Sequence, residues 1–455
     1  MDTGQPSGVG QPFDAVAWRR RLVAARGTGP ADLVLVGGHV VNVFSGEIER
    51  ANVAIVGDRI AGVGDYALGH QVIDVTGSVI APSFIDAHLH VESSLLWLPE
   101  LARAVVPHGT GVIVTDPHEI ANVAGIDGLR ALRDAARGLP LHIRFTAPSC
   151  VPASDNESPG AQLGPEEIAE ILAWPETVGL GELMDYPAVI AGSASIAAKL
   201  QVAAGRRWDG HAPGLRGRAL QAYATTGIHS DHESTALEEA EEKLRAGLMI
   251  MIREGSSEHN LRDLLPLVTD QTYPRCCFCS DDRDCHDLVQ HGHLDATLRT
   301  AVDAGLDPVR AIRLATWNAA EYWRLDGIGA VAPGYEANLV VLKDLNRFEV
   351  AMTIFQGRVV ARHGVALDVP AVPPPAGLRE TVRIAPIGLD HLRLRPEDAR
   401  QAVVAIPGQI VTGYERVEPT LAEGWAVADP SRDLLKLVCV ERHRATGRVG
   451  VGYVR

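Results

Sequence analysis

The stretch FIDAHLHVESS, residues 84–94, closes an apolar run with Asp86, His88 and His90 at alternate positions. In an extended chain, residues two apart project to the same side, so His88 and His90 point together. Two imidazoles so placed can grip one metal ion; they can equally be plain hydrogen-bonding partners at a strand end. Other segments decide between these readings. TVGLGE ends in Glu182, RRWDGH in His211, TTGIHSDH in His232, and RCCFCSDD in Asp281 and Asp282. Four imidazoles and a set of carboxylates gathered at one rim would leave buried polar groups and crowded charge, on the order of several kcal/mol unfavourable. Divalent cations would remove that cost. The contrary reading is a set of histidines scattered over surface loops.

The rim exists only if these runs are neighbouring parallel strands. Eight short apolar candidates occur, at 78–87, 111–116, 141–148, 177–182, 206–211, 225–232, 247–254 and 275–282. Helical patterns such as 234–247 and 294–305 lie between them. The span 81–330 matches the roughly 250 residues of a (β/α)8 TIM-like barrel, whose chemistry sits at the C-terminal ends of its strands. The predicted class is therefore α/β. Residues 31–80 and 331–370 alternate and turn repeatedly, which predicts one small β-domain built from both flanks. AVPPPAG, 371–377, reads as a linker. Residues 378–455 read as a partial, β-containing C-terminal domain, apparently truncated after VGVGYV. Residues 1–30 read as an N-terminal extension with a surface helix over WRRRLVAAR.

Composition narrows the function classes. The 455 residues are 46% hydrophobic, enough for a large core, and the formal net charge is −15. With no long Lys/Arg block, nucleic acid and anionic membranes are excluded as expected partners. No apolar run approaches the roughly 20 residues of a membrane span, and the N-terminus has no signal-peptide core. Six sparse cysteines suit reduced thiols in a cytoplasmic protein.

The longer motifs are PSFIDAHLHVESS (82–94), HGTGVIVTDPHEIANVAG (108–125), PSCVPAS (148–154), GLGELMDYPAVI (179–190), DGHAPGL (209–215), DHES (231–234), MIREGSS (251–257), CSDDRD (279–284) and GHLD (292–295). Together they resemble the adenine deaminase family of the metal-dependent amidohydrolase superfamily, from about residue 30 to the end. The resemblance implies hydrolytic deamination of adenine to hypoxanthine and ammonia by a metal-activated hydroxide in a binuclear site. It implies two divalent ions, with iron or manganese favoured over zinc: His88 and His90 on one, His211 and His232 on the other, Glu182 between them and Asp281 completing the set. Asp281 would carry the proton from water to the leaving amine, and Glu182 would protonate a ring nitrogen. A purine substrate, a role in adenine catabolism and a homo-oligomer follow as expectations.

Several residues keep two readings. His118 and Glu119 either support neighbours by hydrogen bonds or touch substrate or metal. Arg253 and Glu254 either bridge loops or contact the purine. Ser93 either lines the pocket or caps a helix. Asp86 either orients a ligand histidine or caps a turn, and Asp282 shares the rim with Asp281. His291 and His293 also spell HxH, but at a helix start, where i and i+2 diverge. The cysteines around 276–285 read as buried thiols. Two alternative functions remain: hydrolysis of a cyclic amide, against which Glu182 stands where many such enzymes carry a carbamylated lysine, and a shortened chain of weak or no activity.

Overall fold

The computed structural model describes residues 14–154 and 156–455; the N-terminal reading over 1–13 lies outside them. Asp14 opens the first helix, Ala15–Ala25, by accepting the Val16 and Ala17 amides at 2.9 and 3.0 Å. Among the described residues, no helix is long and apolar enough to cross a membrane.

Eight parallel strands form the centre. We number them β1 (Phe84–Leu89), β2 (Thr110–Thr115), β3 (His142–Ala147), β4 (Thr177–Leu183), β5 (Arg207–Gly210), β6 (Ser230–Asp231), β7 (Met249–Arg253) and β8 (Cys276–Cys279). β1 to β5 pair in sequence order as one sheet, and β6 to β8 as a second. A parallel bridge between Leu89 and Asp281 links the end of β8 to β1, and the His229 amide donates to Trp208 O at 3.0 Å between β5 and β6. The result is an α/β fold of curled parallel sheets.

Strand faces sort by side-chain size and polarity. Ile85, Ala87, Val112, Val114, Met249, Met251, Cys277 and Cys279 pack together around Trp323, whose indole N–H donates to Ala87 O at 2.8 Å. Phe84, Leu180, Ile250 and Phe278 pack instead with helix residues such as Leu129, Ile168, Leu220 and Leu298. Burying each such chain contributes about 1.5–3 kcal/mol. Cys277 and Cys279 thus lie in one cluster and Cys276 in the other, as period-two alternation predicts.

The predicted strand 225–232 shrinks to Ser230–Asp231. Gly227, at φ +99°, ends the preceding turn, and little chain remains for regular pairing before His232.

The flanks share a sheet. Val79–Pro82 pairs antiparallel with Leu339–Leu342 inside a seven-stranded sheet that also holds His39–Val41 and Val350–Phe355. A four-stranded sheet, 31–36 with 52–56, 59–64 and 69–74, packs over it. Toward the C-terminus, Gln401–Val404, Gly413–Arg416, Leu435–Val440 and Val449–Val454 form a separate four-stranded sheet.

Candidate metal centre

The ends of β1, β4, β5, β6 and β8 bring His88, His90, Glu182, His211, His232 and Asp281 to one place. His90 Nε2 lies 3.1 Å from Asp281 Oδ1 and 3.6 Å from Glu182 Oε1. Glu182 Oε2 receives His211 Nδ1 at 2.5 Å and His232 Nε2 at 3.1 Å. The His88 and His232 rings stack at 3.8 Å between centroids. All six are buried or nearly so, His211 being the most open.

Hydrogen bonding fixes which atoms are free. His90 Nδ1 lies 2.8 Å from the Asp116 carbonyl, which only accepts, so that nitrogen carries its proton. His88 Nδ1 donates to Asp209 Oδ2 at 2.7 Å. Burial would raise the Asp209 carboxyl, but His232 and His88 outweigh it and hold it below its ordinary value. With both Nδ1 atoms committed to oxygens, the two Nε2 atoms face each other 3.1 Å apart. In the neutral rings two lone pairs would meet there and repel; a divalent cation taking the place of the proton converts that repulsion into ligation.

The remaining donors say the same. His118 Nδ1 is 3.0 Å from Glu182 Oε1, without hydrogen-bond alignment. Asp116 Oδ1, His232 Nδ1 and Glu233 Oε2 are buried without a hydrogen-bond partner. Triads His88–His90–Glu182, His88–Asp209–His232 and Glu182–His211–His232 each place three donor atoms within metal-sharing distance. The chemistry of the donor set fits divalent metal.

Electrostatics follow from crowding. Burial pushes the Glu182 carboxyl up, but His211, His118 and His232 overcome it and hold it well below the usual range. Asp281 is likewise held well below, its burial outweighed by His90, His232 and Arg253. Burial pushes His90 down, and Glu119, Asp281 and Glu182 raise it well above its ordinary value.

Residues 79–360 match the amidohydrolase family model. An adenine deaminase of Dehalococcoides mccartyi is 48% identical over 435 residues, 95% of this chain and 76% of that protein. An adenine deaminase of Methanothrix thermoacetophila is 46% identical over 437 residues, again 95% and 76%. This chain belongs to the adenine deaminase family of amidohydrolases. Among solved structures, a D-aminoacylase described as having a binuclear metal center superposes with a TM-score of 0.57 at 17% identity, covering 74% of this chain and 98% of that one. N-isopropylammelide isopropylaminohydrolase from Burkholderia multivorans gives 0.53 at 18%, covering 74% and 100%. These two likenesses show the fold.

Within this amidohydrolase site, the residues with two readings now have places. Asp86 accepts the Ser280 amide at 3.0 Å and its hydroxyl at 2.6 Å, and lies 3.0 Å from His293 Nε2. It braces the turn carrying Asp281 and reaches His88 only through its backbone amide, at 3.4 Å. Arg253 is fully buried and donates to Glu233, to Asp281 Oδ2 at 2.6 Å and to Asn260 Oδ1 at 3.0 Å. Glu254 instead faces His259, at 3.2 Å. Ser93 donates to Asp282, whose carboxyl is raised by burial and by Asp281. His118 and Glu119 flank His90, Glu119 Oε2 at 3.6 Å from His90 Nδ1. His293 is buried against Thr110 and Asp86 while His291 is exposed, so that HxH pair parts company. Cys276, Cys277 and Cys279 are buried free thiols, and burial drives Cys276 up to about 12.

Four residues were missed. Asp209 holds His88; Asp116 holds His90 through its carbonyl and the Glu182 amide through its carboxylate, at 2.8 Å. Glu233 pairs with Arg253. Cys150 joins His118 and Glu182 in one donor triad. Asp209 was detectable: it stands two residues before His211, a spacing that in an extended chain turns both side chains the same way.

Proposed function

We propose that this protein hydrolyses adenine to hypoxanthine and ammonia, using two divalent ions at the rim of a closed (β/α)8 barrel formed by β1 to β8. The observation that carries the chemistry is the pair of facing Nε2 atoms of His88 and His90 beside Glu182 and Asp281. The substrate comes from the relatives, whose names specify adenine; they do not favour the cyclic-amide reading.

His88, His90 and Asp281 would hold one ion and His211 and His232 the other, with the Glu182 carboxylate beside both sets. Asp209 keeps His88 in the tautomer that offers Nε2. Mixed imidazole and carboxylate donors admit iron, manganese and zinc alike; iron or manganese is what the family resemblance implies. Bound divalent ions lower the pKa of water and so supply a nucleophile at neutral pH. Asp281 Oδ1, free of Arg253, accepts the water proton and passes it to the departing amine. Arg253 pins the other oxygen, Oδ2, and so sets the direction of transfer. Glu182, ionised at rest, would take the second water proton as the C6–O bond forms and hand it to a ring nitrogen, which makes C6 electrophilic and returns the carboxylate to its starting state. No nucleic acid or membrane takes part, and the reaction belongs to cytoplasmic purine metabolism.

Metal analysis beside an ammonia-release assay tests the reading. Two ions per chain and release from adenine, with none from hydantoin or dihydropyrimidine, are expected. Turnover of the cyclic amides but not adenine would overturn it.

A further inference from the structure

Lys243 is a buried cation that the proposed chemistry does not use. It stands in the helix Leu237–Arg245, behind the rim, and its ammonium has no exposed surface. Its three N–H bonds are all spent: on Ala212 O at 2.7 Å, Asp231 Oδ2 at 2.8 Å and Glu239 Oε1 at 2.7 Å. An ammonium has three donors, so the group is saturated.

The partners are the informative part. Ala212 follows His211, and Asp231 precedes His232. Asp231 Oδ1 also accepts the Ala212 amide at 3.1 Å, and Oδ2 accepts the Ser234 hydroxyl at 2.8 Å. Glu239 accepts the Gly214 amide at 2.8 Å. The loops after β5 and β6 are therefore tied to one ammonium and to each other. Among the described residues no ammonium makes such a tie behind His88 or His90, whose side chains are held by Asp209 and the Asp116 carbonyl.

We propose that Lys243 is a positioning residue for one half of the metal centre: it fixes the separation of His211 and His232 and so sets the affinity of the ion they hold, leaving the His88–His90 ion largely alone. This rests on the two-ion reading above. A general structural role makes a different prediction. It would lower the stability of the metal-free protein without distinguishing between the two ions.

The test is metal titration of the metal-free full chain by calorimetry, with ion counts after gel filtration using Mn2+ as the probe. Lys243→Met keeps the stem and removes all three bonds. Glu239→Gln, milder, keeps Lys243 but loosens its anchor. The expected result is that one of two ions weakens, by about 10–100-fold in Lys243→Met, the range for lost support behind a metal ligand, and by less in Glu239→Gln. Equal affinities for both ions in wild type and variant, or equal weakening of both, would overturn the proposal. If Lys243→Met does not fold, Glu239→Gln alone decides, since unchanged affinities there overturn it too. Wild-type protein that binds fewer than two ions would instead refute the two-ion reading itself.

Discussion

His88 and His90 face each other through Nε2 at 3.1 Å while each commits Nδ1 to a different oxygen, Asp209 for one and the Asp116 carbonyl for the other. The two supports leave both Nε2 atoms to one shared space, where loss of the Nε2 proton presents two lone pairs to a divalent cation. Ligand and support are thus one unit. Replacing Asp209 by Asn should keep the fold, since the amide still fills the space, yet free His88 to move its proton to Nε2. Metal affinity should fall about 10–100-fold, with kcat following. Ion counting at limiting metal checks this; full occupancy would show that Asp209 does not govern the tautomer.

Asp281 has one oxygen pinned by Arg253 and the other 3.1 Å from His90 Nε2. Asp281→Asn should lower kcat by about 10²–10⁴-fold, the usual span for a lost proton-transfer group. KM should change much less, and circular dichroism should stay native. Near-normal turnover would remove Asp281 from the proton path.

Much of the site was legible because alternation on a strand is a short-range code. His88 and His90 declare a shared side within three residues, Glu182 and Asp281 close apolar runs, and His211 and His232 close shorter, more polar ones. The supports were less legible. Asp116, Glu233 and Cys150 act through partners tens of residues away, and nothing local in TDPHEI or DHES separates a support from a loop acid. Lys243 sits in a charged helical pattern, LEEAEEKLR, that reads as solvated surface; tertiary packing buries it. In the fold, β6 was overestimated because Gly227 and the following turn take up residues that the apolar pattern assigned to pairing.

Gly210 ends β5 immediately before His211, and a Cβ there would lie 2.2 Å from the Ser230 carbonyl oxygen. That atom is backbone of β6 and cannot rotate away. Gly210→Ala should therefore push β5 from β6, destabilise the protein by about 1–3 kcal/mol and displace His211 from Glu182. Thermal unfolding and metal titration would both register it. A wild-type midpoint with full metal affinity would mean that the two strands separate without strain.

Glu336 joins the β-rich flank to β3. It accepts His142 Nε2 at 2.6 Å and Asn338 Nδ2 at 2.9 Å, with Arg59 Nη2 at 3.4 Å. Burial raises its carboxyl, but these partners win and leave it below its ordinary value of 4.5. A carboxyl depressed in the folded state binds protons more weakly there than in the unfolded chain. Its stabilisation is therefore fully present above about 4.5 and is lost as pH falls through the lower, folded value. Glu336→Gln should lower stability at pH 7 by about 1–3 kcal/mol, the cost of weakening a buried charged hydrogen bond. The difference from wild type should shrink below pH 4.5, where the native carboxyl also protonates. Thermal midpoints of both proteins across pH 3–7 test this. A gap that is constant with pH would show that the carboxylate charge contributes nothing at this junction, and that shape alone holds His142 against the flanking sheet.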